Sequence, residues 1–179
     1  MGTPRYGEKE KELIREIIKG ISGMDYRDLL SYVIHQEMKK AEMYNTLSLL
    51  SEEVIWDQRV ANLFGAMYRD SVRNAEALLE VFKAKFPGEN PQEPEKRFLE
   101  VELSEGHLRE LAYRENLEEI LGHMIEIEKL TAEIYRHLME KTSDEDIKGL
   151  LLSLSNAGME RMRNLEAVLS SIQEEKGKK

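Results

Sequence analysis

The chain has 179 residues, 41% of them hydrophobic, enough for one sizeable core and too few for two well-buried ones, so a single domain over 1–179 is expected. A formal net charge of −9 argues against nucleic acid as a partner, because phosphate binding draws its affinity from clustered Lys and Arg. With no cysteine there can be no disulfide, thiolate zinc site, cysteine nucleophile or iron–sulfur ligation, so any metal must be held by oxygen and nitrogen.

Strong helix formers dominate and no alternating Val/Ile/Thr run argues for strands, so the chain reads as all-α. The N-terminal MGTPRYGEKEKE lacks the apolar run of a signal peptide, and nothing approaches the roughly 18 consecutive apolar residues of a membrane span; a cytoplasmic protein with no membrane partner is expected. An N-terminal arm, 1–24, holds a short helix at 8–20 with Leu13, Ile14, Ile17, Ile18 and Ile21 on one face, ending at Ser22–Gly23. A first helix pair follows over 25–86. Asp25 caps a helix reaching about residue 50, and a second begins between Ile55 and Arg59 and runs to Phe86, where PGENPQEP stops it. Residues 87–114 form a crossover with a helical stretch at 104–113. The second pair, 115–173, comprises a helix over 115–141, a cap at Thr142–Ser143 and a helix over 144–173, and the tail 174–179 is expected to fray. Two hairpins joined by one long crossover make a four-helix bundle distinct from the up-down type with short loops throughout.

The two hairpins repeat each other. IHQEMKKAEMYNTL, Ile34 to Leu47, aligns without a gap on IEIEKLTAEIYRHL, Ile125 to Leu138, and RNAEALL, Arg73 to Leu79, on RNLEAVL, Arg163 to Leu169. The first pair is offset by 91 residues (37 to 128) and the second by 90 (74 to 164). In each copy a glutamate sits in the middle of an apolar stripe: Glu37 in Leu30, Ile34, Glu37, Ala41, Tyr44, Leu47, and Glu128 in Leu117, Leu121, Met124, Glu128, Thr131, Tyr135, Leu138. An unpaired buried carboxylate costs several kcal/mol, so two facing one interior call for a cation, a shared proton or strong hydrogen bonds.

The duplicated Glu-x6-Tyr helices and the long crossover resemble the ferritin-like superfamily, and the rubrerythrin diiron domain in particular, over about residues 25–173. The resemblance implies a ferritin-like four-helix bundle in which each half supplies one Glu from its first helix and a Glu-x-x-His from its second. Together these would hold two irons that handle peroxide or dioxygen. Glu37 and Glu128 match the single-Glu positions. The Glu-x-x-His motifs are replaced by Ser71-Val-Arg-Asn74 and Arg161-Met-Arg-Asn164, so both histidines read as asparagine and both glutamates are gone. Other histidines do not substitute: taking about 100° per residue, His35, His123 and His137 lie roughly 140–180° away from the neighbouring glutamate, and His107 lies in the crossover.

A duplicated acid–amide pair suggests an oxygen-only alternative. Asp70 precedes Asn74, and Glu160 precedes Asn164, by one helical turn. With Glu37 and Glu128 these four would make a shell suited to a divalent metal such as Mn, Mg or Ca rather than an iron pair wanting imidazole. The expected function is therefore a rubrerythrin-like protein with a remodelled carboxylate site for Fe, Mn or another divalent metal, and weak or lost peroxidase or ferroxidase activity. The alternative is a metal-free, non-enzymatic bundle acting as a structural or interaction protein, its glutamates hydrogen-bonded by Asn74, Asn164, Tyr44 or Tyr135. On that alternative, exchanging both glutamates for glutamine leaves the melting temperature unchanged or raises it, by relieving a buried-charge cost. The apolar face of the N-terminal helix points to a homodimer. No feature identifies a redox partner.

Overall fold

The computed structural model describes residues 12, 15–16, 19–20, 23–54, 56–93, 105–114 and 116–178. The helix expected at 8–20, with its stripe Leu13, Ile14, Ile17, Ile18 and Ile21, lies largely outside them. Helix α1 spans Tyr26–Glu53, α2 Gln58–Lys85, α3 Glu105–Tyr113, α4 Leu117–Lys141 and α5 Glu145–Gly177. Among the described residues there are no strands, and no helix is long and apolar enough to cross a membrane.

Local chemistry sets the ends of the long helices. The Asp25 side chain accepts from the Asp28 backbone N–H at 2.9 Å, and that of Asp57 from Arg59 N–H at 2.8 Å. At α5 the cap is Asp144, rather than Thr142–Ser143, because its carboxylate accepts from the N–H groups of Asp146 and Ile147 at 3.0 and 3.2 Å. Each such cap satisfies helix-end donors and is worth about 1 kcal/mol. Helix α2 stops where Pro87 follows Phe86 and Gly88 takes φ 81°, a backbone conformation glycine adopts without strain. Helix α5 runs on through the expected fray at 174 as far as Gly177. Its last turns are held from outside, Glu175 by Arg59 at 2.8 Å and Lys176 by Glu118 at 2.6 Å.

Packing follows the two hairpins: α1 lies along α2, α4 along α5, and α3 touches both α1 and α4. The apolar core divides into two clusters at opposite ends of the bundle. One gathers Leu30, Val33, Leu78, Phe82, Ile134, Leu138, Leu151 and Leu154. The other gathers Leu47, Leu50, Phe64, Met67, Leu108, Leu121, Met124 and Leu165. Helices α1 and α5 enter at the first end and leave at the second, whereas α2 and α4 run the opposite way. Because α2 and α4 are parallel, the connection between them must travel the length of the bundle, and α3 is the part of it packed in the second cluster. Between the clusters lies a layer of buried polar side chains that includes Glu37, Lys40, Ser71, Glu128, Thr131 and Arg161.

Helix α5 comes close to α4 at this layer. A Cβ on Gly158 would lie 3.3 Å from Ala132 Cβ and 3.5 Å from both the carbonyl oxygen and Oε2 of Glu128. Three residues before Gly158, the buried Ser155 hydroxyl donates to the Ala132 carbonyl at 2.8 Å, tying the same two helices together. Gly158→Leu is therefore expected to destabilise by about 1–3 kcal/mol through overpacking. At Gly149 a Cβ would meet nothing within 4 Å, so Gly149→Ala is expected to stabilise by about 0.5–1 kcal/mol through helix propensity alone. Urea unfolding of the two variants checks both signs.

Candidate functional site

The stripe that buries Ile34 and Ala41 on α1 also buries Glu37, and the stripe of Met124 and Ala132 on α4 buries Glu128; both carboxylates are 0% exposed. Tyr44 and Tyr135 follow their glutamates by seven residues, two turns or about 10 Å along the axis. Neither tyrosine bonds the glutamate of its own helix. Tyr44 donates a short hydrogen bond to Glu128 Oε1, and Tyr135 donates to Glu37 Oε1 at 3.1 Å. Antiparallel helices produce this exchange, since the tyrosine two turns along one helix comes level with the glutamate of the other. The midpoint of each Glu–Tyr span falls beside residue 40 on α1 and residue 131 on α4, so a local two-fold passes between Lys40 and Thr131.

Lys40 occupies that centre. Its Nζ lies 3.3 Å from Glu37 Oε1 and 3.5 Å from Glu128 Oε2, and its side chain is 1% exposed. A second buried cation comes from α5: Arg161 Nε is 3.1 Å from Glu128 Oε2, at ion-pair distance but off the line of a straight hydrogen bond. Two carboxylates and two cations make the layer formally neutral. The repeat is broken here, because Lys40 corresponds to Thr131 and Arg161 to Ser71. Thr131 turns its hydroxyl to the Ile127 carbonyl at 2.6 Å instead.

Burial by itself raises the Glu128 carboxyl, but Lys40, Arg161 and the Tyr44 hydrogen bond outweigh it and hold the group below the usual glutamate range. For Arg161 burial favours the neutral form, and Glu128 and Glu37 reverse that, raising the guanidinium above its ordinary value. Tyr44 and Tyr135 are pushed well up, by burial first and then by the carboxylates they bond. The tyrosines are thus fixed as neutral donors and the Glu128–Arg161 pair as ions.

The residues read from the sequence as a six-membered oxygen shell do not converge. Glu37 and Glu128 meet in the interior. Asn74 is half-buried with its Nδ2 in the interior, and Asp70 is half-exposed, 3.9 Å from Arg73. Glu160 and Asn164 are exposed, because α5 is phased by Leu154, Gly158, Arg161 and Leu165, which turns their flank to solvent. Among the described residues no group of three or more His, Cys, Asp or Glu is arranged to hold a metal ion. His35 Nδ1 bonds the Ser31 carbonyl oxygen at 2.7 Å, and His123 and His137 lie beside Glu119 and Glu140 near the surface. The His107 side chain falls outside the described residues. Of the hydrogen-bond partners expected for the glutamates, the two tyrosines serve; Asn164 is exposed, and the buried Asn74 Nδ2 bonds neither glutamate.

Lys40 and Arg161 also reverse the expected effect of neutralising both glutamates. Glu37→Gln/Glu128→Gln would strand two buried cations, so the melting temperature is expected to fall. Lys40→Met alone should cost about 3–5 kcal/mol by leaving a carboxylate uncompensated. Lys40→Met/Glu37→Gln should cost far less than the sum of its single changes, which a double-mutant cycle in urea measures directly.

Acid should weaken the fold through the same layer. A carboxyl depressed in the folded state contributes stability that is complete above its unfolded pKa, ordinarily 4.5, and lost as pH falls through the folded value. Urea midpoints should therefore drop progressively below pH 4.5, and Glu128→Gln, less stable at neutral pH, should lack that component. In comparison with known proteins, no family model, no curated protein and no solved structure matches the chain.

Proposed function

We propose that the chain is a ferritin-like bundle of the rubrerythrin type whose dimetal position carries a permanent ion-pair network, and that it works without metal as a structural or interaction protein. Three features support the scaffold reading: duplicated hairpins, parallel α2 and α4 joined along the bundle's length, and one interior glutamate from the first helix of each half. The observation that carries the functional reading is the pair of buried cations, with Lys40 within 3.5 Å of both glutamates and Arg161 at 3.1 Å from Glu128.

A dimetal centre does not fit this donor set. Each carboxylate is already engaged by an ammonium, and Glu128 by a guanidinium as well, so a divalent ion at the same oxygens would meet two positive charges at close range. Two carboxylates without imidazole would also leave two metals badly under-coordinated. The competing reading, a divalent-metal site with weak peroxidase or ferroxidase chemistry, requires Lys40 and Arg161 to leave the glutamates.

An interaction role has surface to draw on. A groove of about 390 Å³ between α1 and α2 is lined by Ile34, Met38, Ala41, Tyr68, Val72 and Leu79 among others, and Met38 is 49% exposed. This groove supports association between copies as a homodimer. Metal analysis of protein purified without chelator should find far less than one equivalent of Fe, Mn or other divalent metal per chain. One or two equivalents, lost in Glu37→Ala/Glu128→Ala, would overturn the metal-free reading. Sedimentation equilibrium should find a dimer that Met38→Glu/Tyr68→Glu converts to monomer.

A further inference from the structure

The repeat places Ser71 in the first hairpin where Arg161 stands in the second, and this exchange leaves the two glutamates unequally served. Arg161 reaches Glu128 at 3.1 Å. The corresponding approach to Glu37 comes from a serine, whose side chain is too short to carry a donor as far. Besides Arg161 Nε, which faces Glu128, four polar atoms of this region are buried with no hydrogen-bond partner: Glu37 Oε2, Ser71 Oγ, Asn74 Nδ2 and Arg161 Nη2. Glu37 and Ser71 are 0% exposed, and Asn74 sits one turn beyond Ser71 on the same face of α2. Burying a polar atom without a partner is costly, and native interiors satisfy nearly all of them.

We infer that the Glu37 side of the layer is a binding site for a small neutral molecule that both donates and accepts hydrogen bonds, and that its occupant is ordered water. The chemistry of the four atoms selects this class. Glu37 Oε2 can only accept, Arg161 Nη2 and Asn74 Nδ2 can only donate, and the Ser71 hydroxyl does either. An anion would satisfy the donors and be repelled by Glu37. A cation would satisfy Glu37 and be repelled by Arg161 and Lys40, and would upset a layer whose two carboxylates already balance two cations. Water alone meets every requirement without adding charge, and interior waters make about three such bonds each. One half of the repeat is thus closed by a guanidinium and the other by solvent.

Magnetic relaxation dispersion of water oxygen-17 counts long-lived internal waters in the intact protein. The expected result is at least one such water in the wild type that is missing from Ser71→Val/Asn74→Leu. A count unchanged by the double substitution overturns the proposal. If that variant fails to fold, a crystal structure of the unaltered chain decides: a solvent peak within hydrogen-bond distance of Glu37 Oε2 and Ser71 Oγ is expected, and continuous protein packing with no such peak overturns it.

Discussion

The constraint on which this bundle depends is that two carboxylates are buried at mid-height and must be neutralised there. Taking an ion out of water costs several kcal/mol even after relaxation, and attraction between partners repays it only when the geometry is close and the remaining hydrogen bonds are made. Glu128 meets these terms with Lys40, Arg161 and Tyr44. Glu37 meets them in part, with Lys40 and Tyr135. The rest of the fold arranges itself around this layer. Apolar clusters close it off above and below, Gly158 lets α5 approach it, and caps and ion pairs at the helix ends hold the register that keeps the four helices level.

The layer also makes the two hairpins depend on each other. Each is internally local, with α1 against α2 and α4 against α5. The bonds between Tyr44 and Glu128, Tyr135 and Glu37, and Lys40 and Glu128 all cross from one hairpin to the other, over sequence separations of 84, 98 and 88 residues. Either hairpin alone would leave its glutamate without the opposite tyrosine. An apolar interior of the same volume would gain more from burial and specify less about register. The polar layer favours one alignment, since a slip by a single turn carries each tyrosine past its acceptor.

Much of this was legible in the sequence for a physical reason: the apolar period of 3.6 residues and the 91-residue repeat put Glu37 and Glu128 on matching buried stripes, and helix geometry does the rest. The Asp25 cap and the Pro87–Gly88 stop are equally local signals. What escaped was the pair of buried cations and the crossing of each tyrosine to the opposite glutamate. Lys40 lies on the Glu37 stripe three residues on, but lysine usually carries its charge out to solvent along an apolar stem, so periodicity cannot tell a buried ammonium from an exposed one. Asn164 and Glu160 failed for the related reason that a repeat fixes which residues correspond, not how each helix is rotated. Leu165 and Gly158 set the rotation of α5, and they bring Arg161 inward at the expense of its neighbours.

That rotation explains why the symmetric changes in the sequence are not the consequential ones. Asparagine stands in both halves where the resembled motif has histidine, yet only Asn74 brings its amide to the interior. The positions that decide the chemistry are those where the halves differ, Lys40 against Thr131 and Arg161 against Ser71. A strictly symmetric layer with a cation at all four positions would carry two carboxylates and four positive charges, and one with none would carry two uncompensated negative charges. Neutrality requires two cations among the four positions. Placing one on the first helix of one half and one on the second helix of the other puts Lys40 between both glutamates and leaves Arg161 to Glu128. Charge balance would be met equally by a symmetric pair, with cations at 40 and 131 or at 71 and 161; what the asymmetric choice adds is a single ammonium beside the local two-fold, within 3.5 Å of both glutamates.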